Sequence, residues 1–263
     1  ALNESTGSLI WNYTTGDRVA SSPAVADGVV FVGSHDNNTY ALNASTGAQI
    51  WNYTTGSFVL SSPTVSDGAV FVGSYDYNVY ALNESTGAKI WNYTTGSLVS
   101  SSPAVADGMV FVGSNDGKVY ALNESTGAKI WNYTTGSYVT SSPAVADGVV
   151  FVGSYDTKIY ALNGSTGAQI WSYTTGNNVL SSPAVADGMV FLGSNDNNVY
   201  ALNESTGVLI WSYTTEGDIY SSLAVADGIV FVGSLDSKIY AFGTLVPDES
   251  DSTSSSSVQS TNS

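Results

Sequence analysis

Short apolar runs alternate with polar turn clusters along almost the whole chain. From Ser61 the pattern reads as four such runs: SSPTVSDG (61–68), AVFVGSYD (69–76), NVYALNESTG (78–87) and AKIWNYTTG (88–96). Each is rich in Val, Ile, Tyr, Phe or Trp and bounded by Gly, Asp, Asn or Ser, as half-buried strands and their turns are. No segment shows a helical period of useful length. Asp67-Gly68 between the first two runs predicts a hairpin, because a type I′ turn needs φ > 0 at both central residues. The whole unit then repeats. ALNESTGAKIWNYTTG at 121–136 recurs nearly unchanged from residues 1, 41, 81, 161 and 201, always 40 residues apart. Four short antiparallel strands per 40-residue repeat predict an all-β chain, a β-propeller of six four-stranded blades.

With strands lettered A to D from the axis outwards, complete blades are expected at about 20–56, 60–96, 100–136, 140–176 and 180–216. The remainder is strands C–D at 1–16 and strands A–C at 220–243. Together these make a sixth blade. The strand around Leu9–Tyr13 is therefore expected to pair with the last three strands and close the ring, removing its exposed edges. The alternative is an open piece of a larger propeller. Residues 1–244 form the expected propeller domain. Residues 245–263 are acidic and Ser/Thr-rich, and are expected to be a disordered tail, either a plain terminus or a spacer. The chain starts in mid-repeat, at the equivalent of Ala41, which fits a leader removed upstream.

Charge narrows the partners. Six Lys/Arg against 22 Asp/Glu give a net charge of −16, which disfavours nucleic acid and anionic membrane. There is no Cys, so disulfides, thiolate metal sites and a Cys nucleophile are excluded. Most of the 6 Trp, 17 Tyr and 8 Phe sit at fixed offsets in the repeat and read as core.

The segment A-L-N-x-S-T-G-x-x-I-W resembles the tryptophan-docking motif of the PQQ-like β-propellers, a family that includes quinoprotein alcohol dehydrogenases and bacterial outer-membrane assembly scaffolds. It is complete at Ala1–Trp11, Ala41–Trp51, Ala81–Trp91, Ala121–Trp131, Ala161–Trp171 and Ala201–Trp211. The runs SSPAVADG and VFVGSxD are similar to that family too. The resemblance implies that Trp11, Trp51, Trp91, Trp131, Trp171 and Trp211 dock adjacent blades. It does not extend to an enzyme. Quinoprotein members usually have eight blades and use a vicinal Cys pair, with Arg and acidic residues around PQQ and calcium. Here there is one Arg (Arg18), no Cys and nearly identical blades. A catalytic site needs asymmetry, so no catalytic residue, metal site or cofactor is assigned. A PQQ- or metal-dependent oxidoreductase using the axial channel is the alternative from another class. A structural repeat array without a specific ligand is the third reading.

Other motifs read as construction. Asp27, Asp67, Asp107, Asp147, Asp187 and Asp227 precede Gly and serve hairpin turns. Asp36, Asp76, Asp116, Asp156, Asp196 and Asp236 lie between strands B and C, without the other ligands of a calcium loop. The serines at Ser21-Ser22 and its copies are expected to line the axial channel and bind water. Eleven Asn-x-Ser/Thr sequons occur, six of them in expected C–D turns: Asn3, Asn43, Asn83, Asn123, Asn163 and Asn203. They admit glycosylation if the chain is exported.

Function is sought where the copies differ. Variation concentrates in the D–A connections and the B–C turns, which leave a propeller on the same face, and on the solvent side of strand D. The two loop sets carry Arg18, His35, Phe58, Tyr75, Tyr77, Leu98, Tyr138, Tyr155, Tyr220 and Leu235. Exposed aromatics among small polar residues match the composition of recognition surfaces. The expectation is a non-catalytic binding or scaffolding propeller, a monomer at a prokaryotic cell surface, that takes a protein or a glycan on this face.

Overall fold

The computed structural model describes residues 1–243; the tail expected over 245–263 lies outside them. The first blade is β1 (Ala24–Ala26), β2 (Val29–Gly33), β3 (Asn38–Asn43) and β4 (Gln49–Thr54). The second is β5 (Thr64–Ser66), β6 (Ala69–Gly73), β7 (Asn78–Asn83) and β8 (Lys89–Thr94). The third is β9 (Ala104–Ala106), β10 (Met109–Ser114), β11 (Lys118–Asn123) and β12 (Lys129–Thr134). The fourth is β13 (Ala144–Ala146), β14 (Val149–Gly153), β15 (Lys158–Asn163) and β16 (Gln169–Thr174). The fifth is β17 (Ala184–Ala186), β18 (Met189–Gly193), β19 (Asn198–Asn203) and β20 (Leu209–Thr214). The sixth has three strands, β21 (Ala224–Ala226), β22 (Ile229–Gly233) and β23 (Ile239–Phe242). Every pairing is between chain neighbours and antiparallel, so the fold is the expected all-β propeller of six blades.

The hairpins form for the expected reason. Asp67 and Gly68 both have positive φ, 45° and 74°, and the other Asp-Gly pairs behave alike. The C–D corner is built differently. Asn83 Oδ1 accepts the backbone N–H groups of Ser85 and Thr86 and the Thr86 hydroxyl, which curls the chain before Gly87. Strand D then carries a bulge. Ala81 pairs with Trp91 but Leu82 pairs with Lys89, so Ile90 is an extra residue turned outwards and is 49% exposed.

The blades are held face to face by one interface used again and again. Phe71, Val79, Ala81 and Trp91 of the second blade pack against Val99, Val110, Val112, Tyr120 and Leu122. Trp91 Nε1 donates to the Glu124 carbonyl at 2.8 Å, one corner further on. Its ring lies flat against Gly127, where a Cβ would fall 2.6 Å from it and where φ is +69°. Both constraints demand glycine there. Near the axis, the Ser62 N–H donates to Ser102 Oγ (2.8 Å), and Ser102 to Ser142 and Ser142 to Ser182 in the same way (3.0 Å each). The inner serines expected to hold water therefore carry blade-to-blade hydrogen bonds.

The ring closure expected from the amino terminus is not formed. Among the described residues strand β23 pairs only with β22, and the bridge made by residue 9 joins Leu2 to Leu9. The amino-terminal half of the closure is in place, and the sixth blade does not reach it. Trp11 is already docked on the first blade, donating to the Ala44 carbonyl at 2.9 Å, and Tyr13 packs on Tyr40 at 5.5 Å. Segment 9–13 thus occupies the outer position of a blade preceding the first. The sixth blade stays apart from it. Phe231 is 39% and Ile239 83% exposed, whereas their equivalents Phe71 and Val79 are fully buried.

Replacing Trp91 by Ala removes the wedge and its hydrogen bond, and is expected to cost about 3–5 kcal/mol. Gly127→Ala is expected to be destabilising as well, because its Cβ meets the indole. Urea unfolding of each variant against wild type checks both.

Candidate binding face

Each B–C turn is tied to the D–A connection that enters its blade. His35, Tyr75, Asn115, Tyr155, Asn195 and Leu235 donate their backbone N–H groups to the carbonyls of Arg18, Phe58, Leu98, Tyr138, Asn178 and Asp218, each at 2.9 Å. The two most variable segments of the repeat therefore share one face, as expected. A second tie was not foreseen as such. Asp76 Oδ2 accepts the Tyr80 hydroxyl at 2.7 Å and the Gly56 N–H at 2.6 Å, while Oδ1 accepts the Asn78 N–H at 3.0 Å. The carboxylate staples the end of one blade's outer strand to the next blade's B–C turn. Its signal in the sequence is a Tyr four residues after this Asp in every repeat.

The staple perturbs both partners. Burial opposes the charged form of Asp76, but hydrogen bonds from Tyr80, Gly56 and Asn78 outweigh it and hold the carboxyl below its ordinary 3.8. Asp36 is lowered in the same way, with burial opposed by Tyr40, Gly16 and Asn38. Burial, then the hydrogen bond to Asp36, pushes Tyr40 up to about 12.

Aromatic side chains cover part of the face. Arg18 Nη2 lies 3.4 Å from His35 Nδ1. The His35 ring stacks on Phe58 with centroids 5.0 Å apart, and Phe58 meets Tyr75 at 6.2 Å. These four residues make a continuous strip over the first two blades. Tyr138 and Tyr155 form an edge-on pair at 5.8 Å on the fourth blade. Burial first, and then the charge of Tyr155, raise the pKa of Tyr75. Leu98 is half-buried beside the third blade's turn. Tyr220 and Leu235, 46% and 64% exposed, stand on the sixth blade away from the strip.

Tyr77 sits at the last turn position with φ +74°, which costs a residue bearing a Cβ about 1–2 kcal/mol. Gly117 holds the equivalent place in the third blade. With no side chain there, a notch of about 280 Å³ opens between Asn115, Asp116, Thr135 and Tyr138. Asn115 Oδ1 has no hydrogen-bond partner among the described residues. This notch escaped the sequence reading, although a Gly breaking the repeat beside an aromatic was its signal.

The residues do not fit PQQ with calcium. The offset-36 carboxylates already accept hydrogen bonds from Tyr hydroxyls and backbone N–H groups. No group of three or more acidic or His side chains able to hold a metal occurs among the described residues. The single Arg points outwards, its side chain 78% exposed.

Repeated blades wedged by tryptophans define a β-propeller of the PQQ-like repeat type. The chain belongs to the family described as outer membrane protein assembly factor BamB, matched over residues 1–140 and again over 134–245. Among solved structures it is similar to the computationally designed Ika8 protein, at 20% identity and a TM-score of 0.78, over 85% of this chain and 70% of that one. It is also similar to BamB from Moraxella catarrhalis, at 21% identity and a TM-score of 0.61, over 90% of this chain and 89% of that one. At these identities the likeness concerns the fold. No curated protein matches the chain.

Two outcomes are expected. Because the folded-state pKa values of Asp36 and Asp76 are depressed, their stabilisation is present above 3.8 and is lost as pH falls through the folded values. Denaturant midpoints measured from neutral pH downwards should fall in acid, with a shallower fall in Asp76→Asn. Tyr77→Gly should raise stability by about 1 kcal/mol, read from the same unfolding curves.

Proposed function

We propose that this chain is a non-catalytic scaffold of the prokaryotic cell envelope that recognises a protein partner through its D–A/B–C face. The observation that carries the reading is the aromatic strip Arg18–His35–Phe58–Tyr75, with the Tyr138–Tyr155 pair in the same loops of the fourth blade. Rigid aromatics beside an Arg are the composition of interface hot spots. The same residues are those that depart from the repeat, so they give an otherwise uniform face an identity. The polar notch lined by Asn115, Asp116 and Tyr138 adds a recess to this face. Tyr77, 46% exposed in the second blade's B–C turn, adds a further aromatic to the same face.

Family membership supports the scaffold role, because the family's description is that of an assembly factor. It also supports an envelope location. A binding role needs no cofactor, metal or catalytic group from the blades.

The test is selection of binding peptides from a displayed library, with the triple variant Phe58→Ala, Tyr75→Ala, Tyr155→Ala as comparison. Peptides selected on wild type should lose more than tenfold in affinity for the triple variant and keep it for an Ile50→Ser variant on the rim. Equal affinity for all three proteins would overturn the reading. Binding confined to a glycan array would reassign the ligand class. A bound PQQ chromophore in the presence of calcium would restore the oxidoreductase.

A further inference from the structure

The face opposite the recognition loops is made of A–B hairpins and C–D corners, and one of its clefts departs from the repeat. Ser66, Asp67 and Ala69 of the second blade's hairpin and Glu124 and Ser125 of the third blade's corner line a cavity of about 230 Å³. The bulged Ile90 completes its wall. The second blade alone has this lining. Every other blade has Ala at the Ser66 offset and Val, Met or Ile at the Ala69 offset. The exchange adds a hydroxyl and removes bulk at one spot.

Glu124 occupies the space so made. Its main chain is held from both sides. The N–H donates to the Gly108 carbonyl at 2.9 Å, and the carbonyl accepts Trp91 Nε1 at 2.8 Å. The residue is only 9% exposed, and its Oε1 is shut off from solvent with no hydrogen-bond partner among the described residues. Glu84 and Glu204, at the same offset of other blades, are half-buried. A buried carboxylate oxygen without donor or counter-charge is costly. The ion pairs among the described residues, Arg18–Asp17 and Lys238–Glu216, lie elsewhere. Lys89, beside Ile90 in the chain, donates to Asn92 at 3.0 Å. Asp67 adds a second negative charge to the same cavity. The corresponding pair of the fourth and fifth blades shows the tension: burial, and after it the charge of Asp147, raise the Glu204 carboxyl above its ordinary 4.5.

We propose that this cavity binds a divalent cation, calcium before magnesium, through the carboxylates of Glu124 and Asp67 and the hydroxyls of Ser66 and Ser125. One such ion answers both negative charges at once. The side-chain donors are all oxygen, with neither His nor Cys in the lining, which suits a hard ion and not zinc. Calcium accepts an irregular shell of six to eight oxygens, whereas magnesium demands a near-ideal octahedron. Two carboxylates are fewer than a tight site uses. Water therefore completes the shell, and the dissociation constant falls at about 10⁻⁴–10⁻³ M. The bound ion ties the hairpin of one blade to the corner of the next, on the side of the blades away from the Asp76 staple. The site shares no residue with the recognition face, so it stands or falls apart from the scaffold reading.

Calorimetric titration of calcium chloride into the 263-residue chain tests the proposal. Physiological salt screens the diffuse attraction of a net charge of −16. Wild type should show one saturable site. Glu124→Gln keeps the shape and removes the charge, and should weaken binding more than tenfold, with a smaller loss in Ser66→Ala. Glu204→Gln, in a pair without the Ser and the Ala, should bind like wild type. Calcium should also raise the urea midpoint of wild type and leave that of Glu124→Gln in place, and the same curves show that the variant is folded. No saturable site, an equal loss in Glu124→Gln and Glu204→Gln, or a Glu124→Gln variant stabilised by calcium as much as wild type would each overturn the proposal.

Discussion

A flat indole laid on a glycine at the next blade's corner is the contact on which the rest depends. It recurs with the same geometry at Trp11–Gly47, Trp51–Gly87, Trp91–Gly127, Trp131–Gly167 and Trp171–Gly207. Each Trp also donates its N–H to a corner carbonyl, so distance and orientation are both set. Nothing in a single blade buries its faces; burial exists only between neighbours. Stability therefore accrues interface by interface, as in other repeat arrays.

That arrangement separates construction from identity. The strands, corners and wedges hardly differ between copies, since each residue meets a copy of the same environment. The loops above them are fixed at their roots by the backbone bonds and the Asp–Tyr staple, yet their side chains are free to differ. Rigid roots with variable tips are what a recognition surface requires, because ordering costs little when a partner binds. The strip from Arg18 to Tyr75 uses this freedom over two adjacent blades.

Much of the architecture was legible from the chain because a period of two within strands and a period of 40 between blades are both local signals. Asp-Gly announced its hairpins, and the Trp motif announced its docking role. What stayed hidden was relational. That Ser62 reaches Ser102, or that Asp76 reaches back to Gly56, depends on how blades sit side by side. Closure was misread for the same reason. Counting strands shows that the fragments at 1–16 and 220–243 add up to a blade, but a count does not say whether they meet, and β23 pairs with β22 and not with segment 9–13. On the face, composition marked which loop positions carry aromatics. It did not reveal that His35 stacks on Phe58, or that Gly117 hollows a notch.

The bulge in strand D has a meaning beyond local geometry. The outermost strand of a blade is an uncovered template for another chain's backbone. In β4, β8, β12, β16 and β20 the register shift breaks that template midway, with Ile50 or its counterpart turned out at the break. Those edges are poor seeds for strand addition. One inserted residue per blade thus insulates the rim of five blades against growth by strand addition.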